Sequence, residues 1–430
     1  LSTQSVLTPE HNDVLEHEYL VPAEDVGVVH TYLVSMSETD ALSPRSELVA
    51  AAERIADALR AEGPESERAR MLTQRSVDLM ADARLWRVLT PLSRGGAEAG
   101  IRAQVDTSLV LAKADPAAGW VQMVSNAHAW IVGGFPAECQ EDVFGAGPDA
   151  RVPGTLASQG RATRLDGGWR LDGRWQFASG VDHGDWLLIG AVADDLPESP
   201  SRALHVIVPK RDVVVDDTWF TLGLRGTGSK DIVAADVFVP DHRAIPTRLL
   251  FEGMSPHGEA QATRIYRLAV LVGLSVQLAA AVVGIADGAL ELHVERTSAR
   301  REVYTGASKA ENVGTQMRVA ESATELDVAQ SLLRQAADRC DQVALTGERL
   351  TIEDRAELKW HAAYAVELSR RATDRIFASA GAHGVYDDSL LQARHRDVNT
   401  ACHHAMVDFD GNAQIYGRTR LGLDPGSPLV

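Results

Sequence analysis

The stretch from Leu268 to Ala286 restricts this chain more than any other, because it is apolar apart from Ser275, Gln277 and two glycines. Such a run is either a membrane span or a helix enclosed by other helices. One span with Gln277 at its middle makes a poor anchor, so the segment is read as the buried helix of a bundle. Gly284 and Gly288 lie four apart on one helix face, where missing side chains let a neighbouring backbone approach. The run also has few positions fit to face water, which leads to the expectation of a homotetramer, or at least a dimer.

Enclosing that helix takes a large core, and 430 residues at 45% hydrophobic supply one, with length enough for two or three domains. The 42 basic residues stand against 60 acidic ones, a formal charge of −18 that repels nucleic acid and anionic membrane. Cys139, Cys340 and Cys402 lie far apart and form no CxxC. That excludes a disulfide framework and a zinc motif, and a cytoplasmic setting is expected. The first residues show neither the basic nor the apolar region of a secretory leader.

Texture divides the chain into four parts. Residues 1–36 are acidic, aperiodic and without Lys or Arg, and are expected to be a disordered leader, with Met36 a credible start. Residues 37–150 read as a helical domain, with Leu48, Ala51, Ala52, Ile55, Ala58 and Leu59 recurring on one face. Asp115-Pro116 separates helices expected over 103–115 and 118–133. Residues 151–250 read as a β domain, its strands divided by Asp166-Gly167-Gly168, Asp172-Gly173 and Ser179-Gly180. Residues 251–430 read as a helical bundle with breaks near 306–310, 347–353, 381–389 and 417. Helical, β, then helical is an α+β class, mainly α; strands do not alternate with helices, which excludes a Rossmann sheet.

Several motifs fail on inspection. Gly223-Leu224-Arg225-Gly226-Thr227-Gly228-Ser229-Lys230 nearly spells a phosphate loop, but its Lys follows the Ser and a strand-like run follows the Lys. Cys402-His403-His404 suggests a metal, yet adjacent helical residues point about 100° apart. No metal site is expected.

Other blocks carry a resemblance. Trp120-Val121, Asn126-Ala127-His128-Ala129-Trp130, Phe135-Pro136 and Gln140-Glu141-Asp142-Val143-Phe144 form the first. Asp166-Gly167-Gly168-Trp169 through Gly173-Arg174-Trp175 to Phe177-Ala178-Ser179-Gly180-Val181-Asp182-His183 is the second. Gly223 to Asp231 with Asp236-Val237-Phe238-Val239-Pro240 is the third, and Arg396-Asp397, His404, Asp408, Tyr416-Gly417 and Gly422-Leu423-Asp424-Pro425 the last. From about residue 45 onward the chain resembles the oxygenase components of the secosteroid-phenol and 4-hydroxyphenylacetate hydroxylases, two-component flavin-dependent monooxygenases of acyl-CoA dehydrogenase fold.

That resemblance implies reduced FMN or FAD as a diffusible cosubstrate, supplied by a separate NAD(P)H:flavin reductase, and O2. It further implies a flavin C4a-hydroperoxide that hydroxylates a small phenolic or aromatic substrate. It makes His128, Ser179 and His404 the catalytic candidates: His128 to accept a phenol proton, Ser179 to bond near flavin N5, His404 to exchange protons beside the peroxide. Trp175, Phe177, Arg225, Thr227 and Ser229 become cofactor candidates. Arg300 or Arg301 and Gly381-Ala382 would reach the flavin across a subunit interface. Trp120 and Asn399 join His128 at the substrate, and Asn399 stands where the secosteroid hydroxylases carry a second His. The ordinary readings are plain: a core or packing histidine, a turn serine, a solvated arginine, a core aromatic.

Three other functions remain open on sequence alone. An acyl-CoA dehydrogenase needs a carboxylate base in a Tyr-Glu-Gly-Thr-like element, and the matching stretch reads Asp408-Phe409-Asp410-Gly411-Asn412. An N- or S-oxygenase of the same fold, and a catalytically silent flavin-binding protein, are the others. Residues 255–265 and 120–130 are expected to shape the substrate pocket.

Overall fold

The computed structural model describes residues 43–193, 196, 202–255, 257, 264–427 and 430. The expected leader lies outside the described residues. The chain opens with α1 (Ser43–Ala69), α2 (Gln74–Asp82), α3 (Gly100–Ala114), α4 (Pro116–Val132) and α5 (Ala137–Phe144). Asp115 both ends α3 and caps α4: its Oδ1 accepts from Ala117 N at 2.8 Å and Ala118 N at 3.4 Å, with Pro116 in the first turn.

Seven strands follow: β1 (Gly154–Leu165), β2 (Gly168–Ala178), β3 (Trp186–Ala193), β4 (Ala203–Pro209), β5 (Val214–Asp216), β6 (Lys230–Pro240) and β7 (Ala244–Pro246). They form one sheet in the order β5-β6-β2-β1-β3-β4-β7, antiparallel except for the β1–β3 pair. Leu165 pairs with Gly168, and Gly167 has φ +72°, so Asp166-Gly167 is the tight hairpin turn that the sequence signalled. β6 begins at Lys230, so a strand does follow the glycine-rich loop, and Lys230 Nζ is engaged by Asp182 Oδ1 at 2.7 Å.

After α6 (Thr247–Phe251) comes the bundle: α7 (Val270–Ala299), α8 (Val313–Thr346), α9 (Ile352–Ala378), α10 (Leu390–Ala401) and α11 (Phe409–Arg420). α7 is the apolar run, and it packs against α3, α4, α8, α9 and α10. A Cβ on Gly284 would sit 2.7 Å from Leu109 O, and one on Gly288 2.6 Å from Lys113 O, so the two glycines do admit the α3 backbone. Buried Arg394 of α10 ties the same region together by donating to Ala112, Lys113 and Ala114 carbonyls, at the C-terminal end of α3 where a cation is favoured.

Two expectations are corrected. The most apolar window of α7 is 94% buried within this one chain, so the helix needs no second subunit to cover it and the original ground for an oligomer falls away. No helix ends at Gly417; α11 runs through it, and the last break is Cys402–Asp408, where His404 and Asp408 act as caps.

A candidate flavin site at the junction of α4, the sheet and the last helices

α4 abuts the ends of the sheet, with the face of Val121, Ser125 and His128 towards Gly180 and Val152, the residues that follow β2 and precede β1. A Cβ on Gly180 would meet Val121, Ser125 Oγ accepts from Val152 N at 3.3 Å, and His128 Nδ1 lies 2.8 Å from Val152 O. Trp120 sits at the start of that face, and its Nε1 donates to Ser179 Oγ at 3.1 Å. Ser179 in turn contacts Ser229 Oγ at 2.7 Å, and Ser229 contacts Thr227 Oγ1 at 2.6 Å. Thr227 Oγ1 donates to Leu224 O at 2.8 Å. The His404 ring stands edge-on to Trp120, centroids 6.0 Å apart. Trp120, Ser179, Thr227, Ser229 and His404 therefore form one cluster drawn from α4, the end of β2, the 224–229 loop and the turn after α10.

The two histidines present opposite faces. A carbonyl only accepts, so His128 Nδ1 carries the proton given to Val152 and the neutral ring keeps Nε2 bare. Burial pushes His128 down to about 4, against the carbonyls of Val152 and Pro153, so it is neutral at physiological pH. His404 Nδ1 accepts from Met406 N at 3.2 Å, so its proton lies on Nε2. Crowding pushes His404 towards about 4 as well, but its ring is exposed to water, and that contact makes its shift smaller than that of enclosed His128.

Other candidates take different places. Phe177 is 61% exposed, held at φ +68° and edge-on to Trp219, a planar apolar surface beside the hydroxyl cluster. Trp175 is not a flavin contact: it is fully buried in the sheet core, Nε1 donating to Gly190 O at 2.6 Å, its ring filling the space over Gly160. Asn399 turns towards α9, donating to Asp374 Oδ1 at 3.1 Å and His395 O at 2.9 Å, which removes it from the substrate set. Arg225 donates to Thr221 O at 2.8 Å and lines a groove of about 1270 Å³ whose lining includes none of Trp120, Ser179 and His404. Asp408 accepts from Gly411 N at 2.7 Å as the cap of α11, a structural duty.

Arg300 donates to Ala380 O at 3.2 Å and so touches the Gly381-Ala382 turn; Arg301 donates to Gly306 O. Around that turn Arg296, Arg300, Lys309 and Arg318 form no ion pair among the described residues, in a chain of charge −18. His293, Lys309 and Arg318 line a cavity of about 210 Å³ in which Glu302 is the one carboxylate. Unmatched cations, a basic cavity, an exposed aromatic and a serine with a spare lone pair fit the phosphate and ring of a flavin. These two halves do not meet within one chain. Ser275 near the start of α7 donates to Met406 O beside His404, whereas Arg300 follows the far end of α7, about 37 Å away at 1.5 Å per residue.

Two groups escaped the sequence reading. His205, fully buried on β4, donates from Nε2 to Leu156 O at 3.2 Å and accepts at Nδ1 from Thr247 Oγ1 at 2.7 Å; its charge would oppose that of His128. A single His in the apolar run Ala203–Pro209 gives no signal beyond its inward position. Asp397, within the Arg396-Asp397 pair, is the second. It is buried, and its Oδ1 accepts from Leu224 N at 2.6 Å. Ile265 and Ser255 do border the end of α4, through Trp130 Nε1 and Gly134 O; residues 256 and 258–263 lie outside the described residues. Among the described residues no group of His, Cys, Asp and Glu is arranged to hold a metal.

Comparison with known proteins identifies the family and the fold. Residues 276–409 match the family model for the acyl-CoA dehydrogenase C-terminal domain. The chain is 31% identical to the pigment production hydroxylase of Rhodococcus erythropolis, over 87% of this chain and 96% of that one. It is 31% identical to the FADH(2)-dependent resorcinol hydroxylase, oxygenase component, of Rhizobium sp. (strain MTP-10005), over 89% of this chain and 96% of the relative. XiaF from Streptomyces sp., solved in complex with FADH2 and glycerol, matches its fold with a TM-score of 0.85 at 30% identity, covering 91% of this chain and 98% of that one.

Proposed function

This chain belongs to the oxygenase components of the flavin-dependent monooxygenases with acyl-CoA dehydrogenase fold, and from that premise we propose that it hydroxylates a phenolic ring using reduced flavin from a separate reductase. The observation that carries the reading is the Trp120–Ser179–His404 cluster beside exposed Phe177. Reduced flavin, when bound, activates dioxygen and supplies the oxygen atom for an electron-rich aromatic carbon. Phe177 would flank the flavin ring. Ser179 would accept the hydrogen bond of the N5 proton and hold it in place. His404, with its proton on Nε2, would donate on the oxygen side. His128, with Nε2 bare, would accept the phenol proton and make the ring more nucleophilic.

The protein would act as a homo-oligomer, a homotetramer in its full form, with Arg300 and the Gly381-Ala382 turn holding the phosphate of a neighbour's flavin. Support comes from the length of α7, which exceeds the reach of a flavin, and from Val303, Tyr304, Val385 and Tyr386, all largely exposed beside that cluster. Its three free cysteines suit a reducing cytoplasm. Light scattering should find an oligomer at micromolar concentration; a stable monomer would remove Arg300 and Gly381 from the site.

The direct test is oxygen-dependent hydroxylation of a panel of phenols in the presence of a generic flavin reductase. Product bearing one atom of labelled O2 is expected. Oxidation of an acyl-CoA with no phenol hydroxylated would overturn the proposal.

A further inference from the structure

The hydroxyl chain beneath the site has a direction, and simple counting of protons gives it. Each hydroxyl has one proton to donate. Thr227 Oγ1 gives its proton to Leu224 O, a carbonyl that can only accept. The 2.6 Å contact between Thr227 and Ser229 must then use the Ser229 proton. The 2.7 Å contact between Ser229 and Ser179 must therefore use the Ser179 proton. At the other end Trp120 Nε1, a donor only, gives its proton to Ser179 Oγ. Every proton points from Trp120 towards Leu224. Ser179 is left with one free lone pair and no proton to offer.

The far end of the chain is fixed. Leu224 N donates to Asp397 Oδ1 at 2.6 Å, and Leu224 O also accepts from Trp219 Nε1 at 2.9 Å. Ser179, Thr227 and Ser229 are all buried, and a reversed row would leave Thr227 Oγ1 and Leu224 O facing each other at 2.8 Å with no proton between two acceptors.

We infer that Thr227 and Ser229 are positioning residues that hold the Ser179 oxygen as an acceptor only, and that the site thereby selects reduced over oxidised flavin. The inference rests on the reading that Ser179 faces flavin N5. Reduced flavin carries a proton at N5, whereas oxidised flavin carries a lone pair there. An acceptor-only oxygen attracts the first and repels the second. A freely rotating hydroxyl would serve both equally, donating to one and accepting from the other. An enzyme that takes up reduced flavin and must release the oxidised form gains from the locked arrangement.

The test is anaerobic titration of the intact protein with FMN and with FAD, each in both redox states, reading the ratio of oxidised to reduced Kd. Thr227→Val removes the acceptor for the Ser229 proton, and Ser229→Ala removes the acceptor for the Ser179 proton. Each should lower the ratio roughly tenfold, equivalent to about 30 mV in the two-electron potential of the bound flavin. Thr227→Ser keeps the link and should keep the wild-type ratio. A packing defect alone would weaken both redox states alike and leave the ratio unchanged. If either broken-link variant fails to fold, the other reports on the same chain at a different link. A wild-type ratio in the folded broken-link variants, with a lowered ratio in Ser179→Ala, would overturn the lock while keeping Ser179 at N5. A wild-type ratio in Ser179→Ala would instead remove Ser179 from N5, and the inference with it.

Discussion

Asp397 joins the last part of the chain to the loop that carries Thr227 and Ser229, and its replacement yields an ordering of stabilities that depends on pH. Leu224 has φ +51°, a left-handed conformation that costs a non-glycine residue about 1 kcal/mol or more, and its buried N–H finds its acceptor in Asp397 Oδ1. Burial raises the Asp397 pKa from 3.8 to about 6, outweighing the Leu224 N–H bond and the nearby Arg394. That rise disfavours the carboxylate form by about 3 kcal/mol. A carboxyl group raised on folding contributes stability that is complete below about pH 3.9 and lost as pH climbs through about 6. Asp397→Asn keeps an acceptor and cannot ionise. Asp397→Ala leaves Leu224 N–H buried without a partner, at about 1–3 kcal/mol. At pH 4.5 wild type should therefore lie only about 1 kcal/mol below Asn, and Ala about 1–3 kcal/mol below Asn. At pH 8 Asn should exceed wild type by up to about 3 kcal/mol, and Ala should come close to wild type because two penalties of similar size exchange. Urea midpoints at the two pH values, with unchanged slopes, decide it. Ala matching Asn at pH 4.5, or Asn no better than wild type at pH 8, would refute the reasoning. Asp397→Ala should also lose preference for reduced flavin while Asn keeps it.

Ser179→Ala should raise the share of consumed oxygen that ends as hydrogen peroxide, with unproductive loss about tenfold faster for one lost hydrogen bond of about 1.4 kcal/mol; an unchanged product-to-peroxide ratio would leave Ser179 a turn residue. Gly284→Val should destabilise the fold by about 1–3 kcal/mol or more, because the new Cβ meets Leu109 O at 2.7 Å and α3 must move. Gly417→Ala is its control: nothing lies within 4 Å, and a gain of about 0.5–1 kcal/mol in the urea midpoint is expected from helix propensity. Because burial holds His128 at about 4, its neutral, proton-accepting form persists far below the ordinary imidazole range; hydroxylation should fail on the acid side as pH falls through about 4, and a His128-dependent limb near 6.5 would contradict its burial.

What the sequence revealed was local chemistry. The Asp115-Pro116 cap, the Asp166-Gly167 hairpin and the glycines of α7 each act on neighbours along the chain or on one helix face. What it concealed needed segments far apart in number. Trp175 and Phe177 are two apart on β2 and would share a face of a regular strand, yet one fills the sheet core and the other meets solvent, because the pairing shifts register between Trp175 and Ala178 and Phe177 turns to φ +68°. Asn399 and His404 lie five residues apart, but the end of α10 at Ala401 turns the second towards Trp120 and leaves the first against Asp374. The enclosure of α7 within one chain was invisible because an apolar helix reads the same whether its cover is its own chain or another.

The segment from Gly223 to Lys230 shows what a composition close to that of a phosphate loop does in another setting. A phosphate loop uses glycines to bring backbone amides to an anion and hydroxyls to serve a metal or phosphate. Here a Cβ on Gly223 would fall 2.3 Å from Arg396 O, and one on Gly226 2.8 Å from the Ala117 side chain, so those glycines admit α10 and α4. Gly228 takes φ +55° to reverse the chain into β6. Thr227 and Ser229 are then left side by side behind Ser179, with Leu224 O as the terminal acceptor. The same residue types serve close packing and a directed row of hydroxyls instead of an anion, and that substitution of purpose follows from what surrounds the loop: two helices and a buried serine, with a strand where a phosphate loop would have a helix.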